Sequence, residues 1–285
     1  MNMPVKEFID DHIYATQESN FRYHLGASVI GSWCDREIWY GYRWFREVKH
    51  EPRIVRLFGR GHKEEIVVLK YLRDAGISVF ETSPDGHQFR LTALGGHFGG
   101  SLDGILSDLP DLDCAALFEC KTCNEKSFKG LIKSQSVRKD KPEHYVQMQL
   151  YMKAYGLKYA LYIAVSKNND DWYWEYVAAD DYTSDNYTQR AANIIASDKP
   201  PQKGNNNPGW YQCKWCDYHE ICHGGARFAI NCRTCAHSNP GSDGRWHCEI
   251  LPTYKIRTNE EAKERNKSIN HMPCSGFRYE AIINK

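Results

Sequence analysis

The sequence has no long hydrophobic segment and no secretion signal. Its longest apolar runs, such as residues 159–165, are far too short to cross a lipid bilayer. Residues 1–17 are mixed and acidic, and they lack the apolar core of a signal peptide. We therefore expect a soluble, cytoplasmic protein that has no membrane partner.

The sequence also lacks a strong charge of either sign. Its 37 Lys and Arg residues and 36 Asp and Glu residues give a formal net charge of +1. The overall charge therefore does not predict binding to nucleic acid, and any such prediction must rest on local basic patches. The 285 residues, of which 41% are hydrophobic and 26% are charged, are typical of one large globular domain with or without a small appendage.

Cysteine, by contrast, is abundant, with 11 residues. The number is odd, and a chain without a secretion signal is not expected to build a disulfide framework. Two Cys-x2-Cys pairs, Cys213 with Cys216 and Cys232 with Cys235, have a spacing that is typical of metal sites. The sequence therefore predicts two metal-binding cysteine groups.

A carboxylate and an ammonium group lie on one predicted strand. Glu119 and Lys121 are two residues apart in an apolar run, so both side chains point to the same face of that strand. Their burial is costly unless they are paired, bound to a metal or catalytic. A second predicted strand, residues 97–107, carries one carboxylate, Asp103.

These residue types suit the hydrolysis of a phosphodiester. Carboxylates, together with the backbone carbonyl of Cys120, are hard oxygen ligands of the kind that Mg²⁺ and Mn²⁺ prefer. A divalent ion neutralises phosphate charge and lowers the pKa of an attacking water. A lysine such as Lys121 stabilises the charge that develops during the reaction.

The order of the predicted elements indicates the fold class. Helices are predicted over residues 52–74, ended by Ala75-Gly76, and over residues 143–155, ended by Gly156. Residues 159–166 and 172–179 are predicted to form a hairpin. The order helix, three strands, helix, two strands predicts an α/β or α+β fold with a mixed sheet.

Together these segments resemble the PD-(D/E)xK nuclease superfamily, in its RecB-like branch, over about residues 30–225. Leu102 stands where the family name has proline, at a position that varies within the branch. The matching motifs follow the family's order along the chain: Gly59-Arg60-Gly61-His62, Gly100-Ser101-Leu102-Asp103-Gly104, Glu119-Cys120-Lys121 and Gln147-Met148-Gln149-Leu150-Tyr151.

The resemblance implies a restriction-endonuclease-like core, with a central mixed β-sheet flanked by helices and preceded by an N-terminal helical segment. It also implies a site for Mg²⁺ or Mn²⁺. The implied ligands are the side chains of His62, Asp103 and Glu119 and the backbone carbonyl of Cys120. Glu64 and Glu65 remain alternatives to His62 as the ligand from the upstream helix.

The catalytic residues that the resemblance implies are Asp103, Glu119, Lys121, Gln147 and Tyr151. In this scheme Lys121 positions the attacking water. Gln147 and Tyr151 are four residues apart and share one helical face, so both can reach the site. The resemblance gives them the role of holding the substrate or ordering the site.

Some nucleases of this branch, of the AddB type and the CRISPR-adaptation type, carry one cysteine before the core and three after it, and these hold a 4Fe–4S cluster. Cys34, followed by Cys213, Cys216 and Cys222, is similar to that arrangement. The resemblance therefore implies a structural iron–sulfur cluster. Zinc in the same four thiolates remains an alternative.

The second cysteine group predicts a zinc site. Four cysteines complete a tetrahedral site, and a short segment with little apolar core needs such a metal. The predicted ligands are Cys232, Cys235, Cys248 and Cys274, with His237, His247 and His271 as alternatives. We thus predict a nuclease domain over residues 1–228 and a cysteine-rich, zinc-binding module over residues 229–285 that binds DNA or a partner protein.

The function that the resemblance implies is a divalent-metal-dependent DNA exonuclease. It would hydrolyse single-stranded DNA or free DNA ends in recombination, repair or DNA processing. A predicted helical stripe of Lys126, Lys129 and Lys133 suits a phosphate backbone, although a solvated helix face is the alternative. The alternative function is a non-catalytic iron–sulfur and zinc protein that holds DNA or a partner within a processing complex.

Overall fold

The computed structural model describes residues 4–18, residues 21–250 and the short strand Lys255–Ile256. The chain divides into two compact units. The first, here called the sheet unit, comprises Met1–Glu18, Lys49–Leu91 and Gly100–Thr188. The second, here called the cysteine-rich unit, comprises Ser19–Val48, Thr92–Gly99 and Gln189–Lys285.

Helices and strands are numbered in chain order through both units. Those of the sheet unit are α1 Val5–Ala15, α3 Pro52–Asp74, β2 Ser78–Phe80, β5 Gly104–Ser107, β6 Ala116–Cys123, α4 Glu125–Ser134, α5 Val137–Asp140, α6 Pro142–Tyr155, β7 Tyr159–Ser166 and β8 Trp172–Ala178. Those of the cysteine-rich unit are β1 Leu25–Gly26, α2 Asp35–Tyr42, α8 Tyr211–Lys214, α9 His219–Cys222, β9 Ser238–Pro240, β10 Trp246–Cys248 and β11 Lys255–Ile256. Three elements belong partly to each unit: β3 Arg90–Ala93, β4 Phe98–Ser101 and α7 Asp181–Ala196.

A five-stranded mixed sheet forms the centre of the sheet unit. Its strand order is β2-β5-β6-β7-β8, and β6 and β7 are parallel while the other neighbours are antiparallel. Parallel neighbours need a long crossover, and the one between β6 and β7 contains α4, α5 and α6. The predicted α/β class, with a central mixed sheet flanked by helices, is confirmed.

Helix α3 covers one face of this sheet. Its buried side chains Val68, Leu69 and Leu72 pack against apolar side chains of the strands, among them Phe118 and Cys120. Because side chains alternate along a strand, Glu119 and Lys121 of β6 point to the opposite face. The apolar contacts thus stabilise one face and leave the other face for polar groups.

The helix ends agree with their local sequence signals. Pro52 lies in the first turn of α3, where its missing N–H is not needed. After the helix, Gly76 has a φ of 89°, a conformation that favours glycine, and the Leu72 carbonyl accepts a hydrogen bond from the Ile77 N–H at 3.0 Å. Gly156, with a φ of 64°, ends α6 in the same way. The two predicted helices and the predicted hairpin of β7 and β8 are confirmed.

No helix within residues 4–18 and 21–250 is both long enough and apolar enough to span a bilayer.

A buried arginine organises the cysteine-rich unit. The side chain of Arg233 is 4% exposed, and its guanidinium lies 3.9 Å from the ring centre of Trp44 and 4.9 Å from that of Trp246. It donates hydrogen bonds of 2.8 Å to the backbone carbonyls of Tyr42 and Tyr23. Carbonyl oxygens and aromatic faces thus compensate for the loss of water around the charge.

The first residues of the predicted C-terminal module belong to this unit. The Ala229 N–H donates to the Phe45 carbonyl at 2.8 Å, and Asn231 Nδ2 donates to the Trp44 carbonyl at 3.0 Å. The structure groups residues 229–250 with residues 19–48. The domain division predicted at residues 228 and 229 stays a prediction.

We expect Arg233→Met to lower the free energy of unfolding by about 3 kcal/mol, because it leaves buried carbonyls without a donor and removes the cation–π contacts. Chemical denaturation measures the change. Arg227→Met is the matched control, because Arg227 is exposed and a neighbour in sequence. Equal unfolding midpoints for the two variants would contradict the role given to Arg233.

Candidate active site

Asp103 is positioned by the start of β5. The antiparallel ladder between β5 and β6 begins at the pair Gly104 and Phe118, so Asp103 lies just outside it. Its carboxylate Oδ2 accepts a hydrogen bond from the backbone N–H of Cys120 at 3.0 Å. The side chain therefore takes the place of a backbone partner and is held beside the middle of β6.

Glu119 and Lys121 project from β6 on the same face, as the alternation of the strand predicts. Glu119 is fully buried; its Oε1 accepts a hydrogen bond from Lys121 Nζ, and its Oε2 accepts one from Gln147 Nε2 at 3.3 Å. Lys121 Nζ also lies 3.9 Å from Asp103 Oδ2. One ammonium group thus faces two carboxylates.

Burial and charge set the protonation of this pair. Burial raises the pKa of Glu119, and the neighbouring Lys121 opposes that rise. Burial alone would lower the pKa of Lys121, but Glu119 and Asp103 outweigh it and leave that pKa above its ordinary value. Lys121 is therefore an ammonium group at neutral pH, suited to donating hydrogen bonds rather than to taking up a proton.

The upstream helix contributes Glu65 to this cluster. Glu65 is 25% exposed, whereas His62 is 75% exposed, with its Nδ1 3.9 Å from Glu65 Oε2. Burial, and then the charge of Asp103, raises the pKa of Glu65 to about 7. Of the candidates on α3, Glu65 is thus the residue whose side chain lies near the carboxylates of the cluster. The metal-binding role of His62 stays a prediction.

Gln147 and Tyr151 reach the cluster from α6. Both are buried, at 6% and 2% exposure. Gln147 holds the carboxylate of Glu119, as described above. The hydroxyl of Tyr151 lies against Gly100, where a Cβ atom would collide with it. Both side chains are therefore placed to order the site, while their role in catalysis stays a prediction.

One further residue on α6 faces this region and was not singled out from the sequence. His144 precedes Gln147 by three residues, and its Nδ1 lies 2.8 Å from the hydroxyl of Tyr162. Tyr162 is the β7 register partner of Glu119. Burial, then the charges of Lys121 and Lys141, lowers the pKa of His144 to about 3. The i, i+3, i+7 spacing of His144, Gln147 and Tyr151 is the signal that a sequence reading can use.

A basic helix begins next to the cluster. Asn124 caps α4, its Oδ1 accepting a hydrogen bond from the Ser127 N–H at 2.8 Å, only three residues after Lys121. Along α4, Lys129 pairs with Glu125 at 2.6 Å. Two more lysines of the predicted stripe, Lys126 and Lys133, are exposed and form no ion pair with any residue that the structure describes.

The cluster contains some of the oxygen ligands that a hard divalent ion needs. In residues 4–18 and 21–250, no three His, Cys, Asp or Glu side chains are grouped closely enough to hold a metal ion. Mg²⁺, however, is usually bound through one or two carboxylates, with water and substrate phosphate completing its shell. The two carboxylates Asp103 and Glu119 fit that pattern. Binding of Mg²⁺ or Mn²⁺, and the role of the Cys120 carbonyl as a ligand, stay predictions.

The first cysteine group shares one pocket of the cysteine-rich unit. Cys34, Cys213, Cys216 and Cys222 all line it, although they come from the start of α2, from α8 and its end, and from α9. Burial, and then the nearby Cys34 and Cys222, raises the pKa of the Cys213 thiol. Cys34 therefore converges with three thiols that lie close together much later in the sequence.

The second cysteine group lies partly in the described structure. The Cys235 N–H donates to the Cys232 carbonyl at 3.4 Å, and the Ser238 N–H donates to the Cys235 carbonyl at 3.2 Å. Cys248 is the register partner of Ser238 in the β9–β10 ladder. Cys274 and His271 lie outside the described residues. The ten described cysteines form no disulfide.

Comparison with known proteins finds no matching family model and no matching curated protein. Among solved structures, an alkaline exonuclease from Laribacter hongkongensis is similar, with a TM-score of 0.42 and 19% identity over 65% of this chain and 91% of that chain. Its complex with dAMP gives a TM-score of 0.45 and 17% identity over 67% and 91%. The structure of SSO0001 gives a TM-score of 0.44 and 14% identity over 78% and 98%.

The raised pKa of Glu65 predicts a pH-dependent stability. A carboxyl group whose pKa is higher in the folded protein stabilises the fold below its unfolded pKa, and this contribution is lost as the pH rises through the folded pKa. We expect the wild-type free energy of unfolding to fall between about pH 4.5 and pH 7, and Glu65→Gln to show a smaller fall.

Urea unfolding across this pH range, with a chelator present, measures the effect. Glu64→Gln is the control, because its side chain precedes Glu65 on the same helix. It should keep the wild-type dependence on pH. The assignment of Glu65 to the carboxylate cluster fails if Glu65→Gln and the wild type lose stability equally.

Proposed function

We propose that this protein is a divalent-metal-dependent deoxyribonuclease that hydrolyses phosphodiester bonds as an exonuclease. The observation that carries the proposal is the cluster of Asp103, Glu119 and Lys121 at the middle of the central strand β6. A fully buried carboxylate is costly to keep in a fold. Glu119 is kept there with an ammonium group and a second carboxylate beside it, which is the donor set that phosphodiester hydrolysis needs.

Each side chain has a distinct part in this proposal. Asp103 and Glu119 are the residues that would hold Mg²⁺ or Mn²⁺, with His62 or Glu65 and the Cys120 carbonyl as further oxygen or nitrogen donors. The ion would supply charge neutralisation and an acidified water. Lys121, as an ammonium group, donates a hydrogen bond to the attacking water or to a phosphate oxygen.

The order of the sequence motifs supports membership of the RecB-like branch of the PD-(D/E)xK superfamily. Asp103 immediately precedes β5, Glu119 lies on β6 and Gln147 on α6. Gln147 bonds to Glu119, and Lys121 contacts both Glu119 and Asp103. In the proposed enzyme, Gln147 keeps Glu119 oriented. Tyr151 fixes α6 against the backbone at Gly100.

Substrate binding is proposed for the basic surface of α4. Its exposed lysines, Lys126 and Lys133, follow the active-site strand directly, so a phosphate backbone that lies along them leads to Lys121. Single-stranded DNA or a free DNA end, in recombination, repair or DNA processing, is the proposed substrate. The alkaline exonuclease among the similar structures is a nuclease by name, but the proposal rests on the site.

Two further metal groups complete the proposal. The convergence of Cys34, Cys213, Cys216 and Cys222 on one pocket supports a structural 4Fe–4S cluster there. A single zinc ion needs four sulfurs about 2.3 Å from one point, whereas a cluster binds its cysteines at four separate iron atoms. The order of one cysteine before the core and three after it, which resembles the iron–sulfur nucleases of this branch, is the reason to prefer the cluster.

Zinc is proposed for the second cysteine group, with the set Cys232, Cys235, Cys248 and Cys274. The turn that carries Cys232 and Cys235 is hydrogen-bonded to Ser238, and Ser238 is the register partner of Cys248. This proximity along the backbone supports the proposed set. The module over residues 229–285 would then present a metal-stapled surface to DNA or to a partner protein.

The nuclease proposal predicts degradation of end-labelled single-stranded DNA in the presence of Mg²⁺ or Mn²⁺. We expect Asp103→Asn and Lys121→Met each to lower the rate by about 10²- to 10³-fold, since each removes a charge that acts on the phosphate or its water. Gel analysis of the products measures the rate on substrates that differ in strandedness and ends.

Matched controls are Asp111→Asn and Lys158→Met, which change exposed residues outside the cluster. Undiminished cleavage by both active-site variants would refute the catalytic assignment. Tight DNA binding without cleavage under any divalent metal would instead support the non-catalytic holding protein.

The cofactor proposal predicts about four iron atoms and one zinc atom in each anaerobically purified chain. We expect Cys213→Ser to lose iron and to keep zinc, because Cys213 belongs to the first cysteine group alone. Metal analysis and visible absorption measure both. Cys114→Ser is the control and should keep all of the metal. Colourless wild-type protein with two zinc ions would overturn the iron–sulfur assignment.

A further inference from the structure

A buried tyrosine holds a histidine beside the proposed active site. His144 and Tyr162 lie on α6 and β7, and the Nδ1 atom of the histidine is 2.8 Å from the phenol oxygen. Their rings are 5.8 Å apart and tilted by 34°. Tyr162 stands next to Glu119 in the parallel register, on the same face of the sheet. No sequence motif assigns a role to either residue.

The hydrogen bond defines which ring nitrogen carries the proton. The side chain of Tyr162 is fully buried, and His144 Nδ1 is the partner of its hydroxyl among the described residues. A buried O–H group that donates to nothing costs about 1–3 kcal/mol. The phenol therefore donates and Nδ1 accepts, which leaves the proton of the neutral imidazole on Nε2.

The Nε2–H group has no partner within the described protein. Nε2 forms no hydrogen bond with any described residue, and it is not one of the enclosed polar atoms that lack a partner. His144 as a whole is half-buried. Because Nε2 is neither hydrogen-bonded to a described residue nor enclosed, it is accessible to water or to a bound ligand. Here a fixed donor remains open next to the charged cluster.

The charges around the imidazole favour an anionic partner. Lys121 and Lys141 are close enough to affect its titration, and with burial they keep it neutral. Each lysine is also ion-paired within the protein, Lys121 with Glu119 and Lys141 with Asp140 at 3.0 Å. A neutral donor near them can bind a negatively charged acceptor without repelling either lysine. Phosphate oxygens are acceptors of this kind, and charge-assisted hydrogen bonds to them are strong.

We propose that His144 donates its Nε2–H to a phosphate oxygen of the strand bound in the active site, and that Tyr162 is the positioning residue that holds this tautomer. The inference rests on the proposed nuclease function and adds a substrate-binding residue to it. Because the donor is neutral, it binds the phosphate next to Lys121 without changing the charge of the site.

Amide substitutions test the donor directly. Glutamine places an N–H group near the position of Nε2, and asparagine places one near Nδ1. We expect His144→Asn to lower kcat/KM by about tenfold to hundredfold, and His144→Gln to recover most of that loss. His87→Asn, an exposed histidine of the same unit, is the control. Wild-type kcat/KM in His144→Asn would overturn the proposal.

A double variant separates positioning from packing. Tyr162→Phe should lower kcat/KM in the wild-type background, because the imidazole is then free to change tautomer. In the His144→Gln background it should have little effect, since an amide has no tautomer to hold. Equal losses from Tyr162→Phe in both backgrounds would show a structural role only and would overturn the positioning assignment.

A spectroscopic measurement tests the tautomer without reference to cleavage. Long-range ¹H–¹⁵N correlation spectra of histidine-labelled, metal-free protein should show an unprotonated Nδ1 and a protonated Nε2 for His144. Addition of an oligothymidylate should shift the Nε2 resonance. A proton on Nδ1, or an unshifted Nε2 in protein that binds the oligonucleotide, would overturn the proposal. Wild-type protein that cleaves nothing with Mg²⁺ or Mn²⁺ would refute the proposed function instead, whatever the tautomer.

Discussion

The burial of the Glu119 carboxylate is the constraint on which the rest of the sheet unit depends. Removal of an ion from water costs several kcal/mol unless other groups replace the water. Lys121 and Gln147 supply that replacement, one from the same strand and one from α6. The side chains of β6 must therefore alternate between the two faces as far as Lys121. Helix α6 must pack on the sheet where Gln147 can reach Glu119. Asp103 supplies the second carboxylate, which accepts a hydrogen bond from the backbone N–H of Cys120.

The parallel pairing of β6 with β7 explains how these groups meet. A parallel connection cannot be a tight turn, so the chain leaves β6 through a long crossover. That crossover places α4 directly after the active-site strand and returns through α6 over the face that carries Glu119. The same register sets Tyr162 beside Glu119. One topological requirement thus brings the basic helix, the orienting glutamine and the His144–Tyr162 pair to the site.

Much of this arrangement follows from local sequence patterns. Period-two alternation predicts the common face of Glu119 and Lys121, and the spacing of Gln147 and Tyr151 predicts a shared helical face. The choice between His62 and Glu65 depends on how α3 is rotated about its axis. That rotation is set by the packing of Val68 and Leu69 on the sheet, which no local pattern specifies. The position of His144 is not predicted for a related reason, because its partner, Tyr162, is determined by the register of β7 against β6.

One face of the central sheet contributes apolar packing, and the other face carries the proposed active site. Cys120 takes part in both. Its side chain is buried in the apolar contacts with α3, while its backbone N–H holds the carboxylate of Asp103. Packing on one face therefore positions an acid on the other. A site built in this way tolerates a buried charge because the neighbouring residues of the strand, Phe118 and Cys120, supply apolar burial on the opposite face. The position of Glu119 and Lys121 is thus maintained by the core itself, and the backbone of the same strand holds Asp103 in the bend before β5.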